Sequence, residues 1–169
     1  MDSALSFEGA LQDFLLDAQV LLSQSQECLQ HLELIDNDAD ACGCLNTALD
    51  TLARRATRLD LLEVAHYATV LQQLLAPACQ QQRLQREALP ATDACLTLLA
   101  WQLELIDPRT GQLNLDTGEQ ITLLNELASV LDQPLPQACA ACDERGSHCT
   151  HPHTATTAAQ GTHPAFHNN

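Results

Sequence analysis

Residues 45–75, LNTALDTLARRATRLDLLEVAHYATVLQQLL, decide the fold of this chain. Apolar residues recur in this stretch at spacings of three and four, which place them along one face of an α-helix. In the first half the stripe consists of Leu45, Ala48, Leu49, Leu52, Ala56 and Leu59. In the second half it consists of Leu61, Val64, Ala65, Ala68, Leu71 and Leu75. The stretch therefore predicts two helices in direct succession, with Asp60 as the cap of the later one.

The same spacing predicts further helices on both sides of this stretch. A first helix runs from about Leu5 to Leu32 and ends before the acidic turn at residues 36–40, because short acidic and amide side chains favour turns. A fourth helix opens near Pro90 and stops at residues 108–111, PRTG, which form a strong breaker cluster. These helices precede and follow the central pair and complete a bundle with it.

The fifth helix is predicted to start at Thr117, where the sequence TGEQ at 117–120 fits a capping box. Its inner face is predicted to consist of Ile121, Leu124, Leu127, Ala128 and Leu131. Pro77 is expected to bend or end the third helix, because proline lacks an amide hydrogen. Residues 80–86 are polar and are expected to form an exposed helical extension or a loop.

Composition agrees with a helical protein. Of the 169 residues 46 % are hydrophobic and only 3 % are aromatic, and the apolar residues are mostly leucine and alanine, which are good helix formers. We therefore predict an all-α, antiparallel bundle of four to five helices over residues 1–136, followed by a disordered Cys/His-rich tail at 137–169. No apolar run approaches the roughly 20 residues needed to cross a bilayer.

Charge limits the classes of partner. The net charge is −15, with 22 acidic residues against seven basic ones. Such a surface repels nucleic acid and anionic lipid, so we expect no nucleic-acid or membrane partner. The N-terminus lacks the positive region of a secretory signal, so a cytoplasmic location and reduced cysteines are expected. Three of those cysteines, Cys28, Cys79 and Cys95, occupy apolar helical positions and are predicted to be core residues, whereas the Cys42-Gly43-Cys44 run is assigned no role.

The central pair of helices resembles the histidine-phosphotransfer (HPt) domains, especially those that open CheA-type chemotaxis kinases. The resemblance rests on residues 50–59, DTLARRATRL, followed without a gap by residues 60–71, DLLEVAHYATVL. In that family the second helix typically reads His-Thr-Leu-Lys-Gly-Ser-Ala. The first helix, FLLDAQ at 14–19, is similar to the family's opening Phe-Leu-x-Glu-Ala helix, and the resemblance covers about residues 7–131. It implies a helical bundle that works in a phosphorelay.

The reactive positions of the family are changed in this chain. Asp50 stands where the family has its phosphorylated histidine, Ala53 where it has a lysine that helps hold the phosphoryl group, and Arg54 where it has a glycine that leaves room for the docking partner. A phosphorelay needs a nucleophilic imidazole nitrogen, which a carboxylate does not supply. Neither His31 nor His66 falls at the phosphorylation position. We therefore expect no enzymatic activity.

Two interpretations of this helix face remain open. Asp50 and Arg54 are four residues apart with the acid first, an order that favours an ion pair on an exposed helix face, so the face is simply solvated in one interpretation. In the other it is a docking face for an acidic receiver domain of a response regulator, or for a chemosensory or type IV pilus protein. The predicted partner-binding residues are Asp50, Ala53, Arg54, Arg55, Thr57 and Arg58. The resemblance implies a non-catalytic signalling adaptor or regulator.

The Cys/His-rich tail offers an alternative function. Thiolate and imidazole are the ligands that zinc prefers, and a C-x-x-C spacing lets two sulfur atoms share one ion. The candidate ligands are Cys139, Cys142, His148, Cys149, His151 and His153. Against a site, the segment has few apolar residues to pack around a metal, and a disordered tail is the competing interpretation. A zinc-binding protein, and a working phosphotransfer protein that uses another residue, remain alternatives; otherwise no cofactor is expected.

Overall fold

The computed structural model describes residues 2–135, and these residues form an all-α bundle without strands. The five helices are α1 (Asp2–Leu34), α2 (Ala39–Arg58), α3 (Leu62–Gln80), α4 (Leu89–Leu105) and α5 (Gly118–Val130). A single 3-10 turn, Arg86–Ala88, precedes α4. The predicted all-α class is confirmed, and none of the described helices is long and apolar enough to span a membrane. The predicted tail at 137–169 lies outside the described residues.

The first three helices pack side by side, with α2 in contact with both α1 and α3. The carboxylate of Asp38 caps α2 by accepting a hydrogen bond from the Ala41 N–H at 2.9 Å. Arg55, near the C-terminal end of α2, contacts Asp17 in the middle of α1, and the turn between the two helices is short. The two helices α1 and α2 therefore run antiparallel. The residues of the predicted α2 stripe are buried from Leu45 as far as Ala56, so the opposite face of α2 is turned toward solvent.

Helix α4 lies at the centre of the remaining packing, in contact with α1, α3 and α5. The fully buried Tyr67 of α3 donates its hydroxyl hydrogen to the Cys95 carbonyl of α4 at 2.8 Å. Gln102, also buried, donates from its side-chain amide to the Gln120 side-chain oxygen of α5 at 2.9 Å. Each of these two polar contacts joins a different pair of helices within a core that is mostly apolar.

The prediction that Asp60 caps α3 is wrong. The N-cap position belongs to Leu61, and no side chain caps the helix there. Asp60 has a φ of 60°, in the left-handed region, and its N–H donates to the Thr57 carbonyl at 3.1 Å, while that of Leu61 donates to the Ala56 carbonyl at 2.9 Å. Asp60 therefore terminates α2 in a Schellman motif instead of starting α3.

The start of α5 also differs from its prediction. Thr117 is the N-cap residue, but its backbone is already helical and its side chain makes no capping bond, so the capping box is absent. The Asp116 carboxylate accepts from the Gly118 N–H instead, at 3.1 Å. Ile121 is 54 % exposed and does not belong to the inner face, whereas the other four predicted members are buried.

The structure also tests three smaller predictions, which concern Pro77, the residues after α3 and the cysteines. Pro77 does not end the helix, which continues to Gln80. The following residues 81–85 form a turn and a loop, and Leu84 within them is buried. Of the three cysteines predicted to lie in the core, Cys28 and Cys95 are buried, but Cys79 is partly exposed.

Candidate functional site on the outer face of α2

The outward face of α2 carries the polar residues that the sequence singled out. Counted from Asp50, the residues Arg54, Thr57 and Arg58 lie four, seven and eight positions further along the helix, and Thr57 follows Arg54 by three. These spacings place all four residues on one side of the helix. Arg54, Thr57 and Arg58 are exposed and Asp50 is half-buried. We call these four residues the α2 patch.

An ion pair organises the middle of the α2 patch. The Arg54 Nη2 atom lies 2.9 Å from the Asp50 Oδ2 atom, and the two side chains are 64 % and 48 % exposed. An exposed pair at this spacing stabilises a helix by about 0.3–0.5 kcal/mol at most. The pair contributes little to folding and leaves both groups accessible to another molecule.

Arg55, one residue further on, is turned toward α1. Its Nη1 atom lies 2.7 Å from the Asp17 Oδ2 atom, and its guanidinium carbon is 5.8 Å from the centre of the Phe14 ring. A cation over an aromatic face is attracted by the ring quadrupole, which adds to the ion pair. Arg55, predicted as a partner-binding residue, therefore contributes to the α1–α2 interface.

Ala53 does not lie on the outer face. Only 7 % of its surface is exposed, and it belongs to the hydrophobic core. Its prediction as a partner-binding residue of the exposed face is therefore wrong, because position 53 lies four residues after Leu49 and three before Ala56 and so extends the inner stripe. Its carbonyl accepts the Thr57 hydroxyl hydrogen at 2.8 Å, so Ala53 reaches the patch only through its backbone.

The position of the arginines in the helix matters for their charge. Arg55 and Arg58 occupy the last turn of α2, where the free carbonyl groups give a helix its partial negative charge. Within residues 2–135 Arg58 makes no ion pair. The end of α2 thus presents a local positive charge on a chain whose net charge is −15.

The two histidines considered as phosphoacceptors lie away from the α2 patch. His31 is in the last turn of α1, and its Nε2 atom is 3.5 Å from the Asp38 carboxylate that caps α2. His66 is an exposed residue near the start of α3. Neither residue shares the outer face of α2 with Asp50.

No group of three or more metal-ligating side chains occurs in the part of the chain that the structure describes. The predicted zinc ligands all fall outside residues 2–135: Cys139, Cys142, His148, Cys149, His151 and His153. The tail hypothesis therefore stays a prediction from the sequence.

No family model matches this chain, and searches of curated proteins and of solved structures also find no match. The α2 patch is therefore interpreted from its own residues and geometry.

Proposed function

We propose that this protein is a non-catalytic, HPt-like signalling adaptor or regulator that binds a response-regulator receiver domain, or a related chemosensory or pilus protein, through the α2 patch. The observation that carries the proposal is the position of Asp50. This residue, aligned with the reactive histidine of the HPt family, lies on the outer face of α2 and is ion-paired with Arg54. A core position for residue 50 would have removed the basis for the resemblance.

The arrangement of the helices supports the same proposal. α2 packs against α3 through a short connection, as expected for two helices that follow each other without a gap in the HPt pattern. α1 covers the other side of α2, so the outer face is held by neighbours on both sides. A helix fixed in this way presents its side chains without a large loss of conformational entropy on binding.

The chemistry of the patch favours binding over phosphoryl transfer. A carboxylate at position 50 does not form the phosphoramidate that a relay requires, and the chain has no lysine to replace the one missing at position 53. Arg54 and Arg58 instead supply positive charge, which complements the acidic pocket that the resemblance implies for a receiver domain. Such complementarity mainly raises the association rate and makes it fall with salt.

Calorimetric titration of the full chain with a panel of purified receiver domains tests the docking face. Arg54→Glu and Arg58→Glu are each expected to weaken binding at least tenfold, because both reverse a charge that faces the partner. Arg86→Glu is the matched control, since Arg86 is equally exposed but lies outside α2 and pairs with Asp36 at 3.3 Å. Equal affinities for the wild type and both α2 variants would contradict the proposal.

Incubation with a phosphorylated receiver domain separates an adaptor from a working phosphotransfer protein. An adaptor is expected to bind the receiver without acquiring acid-labile phosphate. Acid-labile phosphate on His31 or His66 would overturn the non-catalytic assignment.

A further inference from the structure

A cavity of about 200 Å³ opens at one end of the bundle, between the α2–α3 junction and the loop that follows α4. One wall consists of residues 60–64, and the other consists of Ile106 and residues 111–113. Most residues of the lining are apolar: Leu61, Leu62, Val64, Ile106 and Leu113. No member of the α2 patch belongs to either wall, so the cavity is a separate feature of the fold.

Backbone hydrogen bonds hold both walls in place. In the first wall the Leu61 N–H donates to the Ala56 carbonyl at 2.9 Å. In the second, the Gly111 N–H donates to the Asp107 carbonyl at 2.8 Å and the Asp107 N–H to the Gln112 carbonyl at 3.0 Å. The walls touch at Gly111, where a Cβ atom would lie only 3.0 Å from the Leu61 Cδ2 atom. The cavity is therefore preformed, and a ligand orders little of the protein when it binds.

The size of the cavity limits the size of a ligand. An engineered apolar cavity of about 150 Å³ binds benzene, whereas sites for drug-sized ligands usually measure about 300–1,000 Å³. Leu61, Val64 and Ile106 are buried, so they offer apolar surface at the inner end of the cavity. The cavity therefore suits an apolar group about as large as one benzene ring or a branched alkyl chain.

Negative charge stands at the mouth of this cavity. Asp60 and Glu63 belong to the lining, and both residues are exposed. Asp60 makes no ion pair within residues 2–135. Glu63 lies in the first turn of α3, where the free N–H groups of a helix amount to about half a positive charge. Two full negative charges outweigh that half charge, so the mouth attracts a cation and disfavours an anion.

We propose that this cavity is a binding site for a small aryl- or alkylammonium ion, whose apolar part fills the cavity while its positive charge lies at the carboxylates of Asp60 and Glu63. The charge of the mouth also separates this site from the docking proposal, in which Arg54 and Arg58 attract an acidic partner. The inference is therefore independent of the docking proposal, and either one stands if the other fails.

Backbone amide resonances of the isotope-labelled full chain test the proposal with three matched probes. The probes are 2-phenylethylammonium, the neutral 2-phenylethanol and the anionic 3-phenylpropionate, which share one ring and differ in charge. We expect the ammonium ion to shift the amides of residues 60–64 and 111–113 in a saturable way with a millimolar Kd. The Kd of the alcohol is expected to be roughly two- to fivefold higher, and that of the anion higher still.

Three outcomes of this titration would overturn the proposal. Equal Kd values for all three probes would show that the carboxylates do not select a cation. Tightest binding of 3-phenylpropionate would show that the N-terminus of α3 outweighs them. Amide changes that are largest outside the two walls would place the ligand elsewhere.

Removal of both charges separates recognition from structure. The double variant Asp60→Asn, Glu63→Gln keeps the side-chain shapes, and asparagine tolerates the left-handed conformation of residue 60. It is expected to raise the Kd of the ammonium ion by roughly fivefold and to leave that of the alcohol unchanged. Asp132→Asn is the matched control, since Asp132 is also exposed and left-handed, with φ of 53°, but follows α5. An equal loss for both probes, or the same loss in the control, would contradict the proposal.

The apolar wall is tested by Leu62→Ala. Leu62 is 41 % exposed, so its truncation leaves the core closed. The variant is expected to raise the Kd of the ammonium ion and of the alcohol alike, by roughly two- to fivefold. Val130→Ala, at a side chain that is 48 % exposed and lies outside the cavity, is the control without effect. Unchanged Kd values in Leu62→Ala would count against the site, and the order of the three probes on the wild type decides the matter even if a variant does not fold.

Discussion

At the scale of single residues, burial controls the titration of several groups that are neutral in the core. Desolvation raises the pKa of Cys28 and of Cys42 to about 12 and that of Cys95 to about 11. It also raises the pKa of Tyr67 above its ordinary range, because the hydroxyl is enclosed between α3 and α4. These groups hold their protons in the folded chain at a pH where the unfolded chain has released them.

We therefore predict that the reduced protein loses stability as pH rises above about 9. Below the ordinary pKa of a thiol the folded and unfolded states bind the same protons, and stability is complete. Between that pH and the raised pKa the unfolded state binds fewer protons, so the free energy of unfolding falls by up to about 1.4 kcal/mol per pH unit for each buried group. Urea midpoints measured under reducing conditions from about pH 8 to about pH 10.5 check this decline.

Two variants make this measurement specific. Cys95→Ser removes one titrating thiol and is expected to make the decline shallower. Ser25→Ala changes a buried hydroxyl, which donates to the Leu21 carbonyl at 2.9 Å, and is expected to lower stability without altering the slope. A flat midpoint across the alkaline range in the wild type would contradict the account of buried neutral thiols.

At the scale of the elements, three helices end in the same way. α2, α3 and α5 are each followed by a residue in the left-handed region, and in each case the next N–H donates back across the last turn, a pair of bonds typical of the Schellman motif. The left-handed residues are Asp60, Gln82 and Asp132, with φ values of 60°, 54° and 53°. None is glycine, so each helix end carries a conformational cost.

Replacing Gln82 with glycine is predicted to stabilise the protein. The Gln82 N–H donates to the Cys79 carbonyl and that of Arg83 to the Ala78 carbonyl, and glycine keeps both bonds while removing the strain at φ of 54°. The free energy of unfolding is expected to rise by roughly 0.5–1 kcal/mol. Gln81→Gly is the control, since φ at Gln81 is −89° and glycine there gains nothing. Urea denaturation that ranks the two variants in the opposite order would refute this explanation.

Helix positions were more predictable than helix ends. Apolar spacing located all five helices, because burial of a stripe depends on period and not on exact boundaries. The caps depend on backbone torsions that the pattern does not contain: Thr117 has a favourable residue type but a helical backbone, and Asp60 takes a left-handed conformation. Asp38, in contrast, has the extended ψ of 121° that lets its carboxylate reach the Ala41 N–H.

At the scale of the whole molecule, packing decided which members of the candidate site face outward. The Asp50–Arg54 ion pair followed from their spacing and is present. The burial of Ala53 follows from its spacing to Leu49 and Ala56. The contact of Arg55 with Asp17, in contrast, depends on how α1 flanks α2, which no local pattern specifies.

The central claim, that the outer face of α2 is a docking surface for a receiver domain, is tested most directly by mapping the contact on the protein itself. The measurement is the change in backbone amide resonances of isotope-labelled full chain as an unlabelled receiver domain that binds it is added. We predict that the changes concentrate on the α2 patch and its neighbours in residues 46–58, while the loop at 107–117 is unaffected. Changes confined to α4 and α5, with the amides of Asp50, Arg54 and Arg58 unmoved at saturation, would contradict the account.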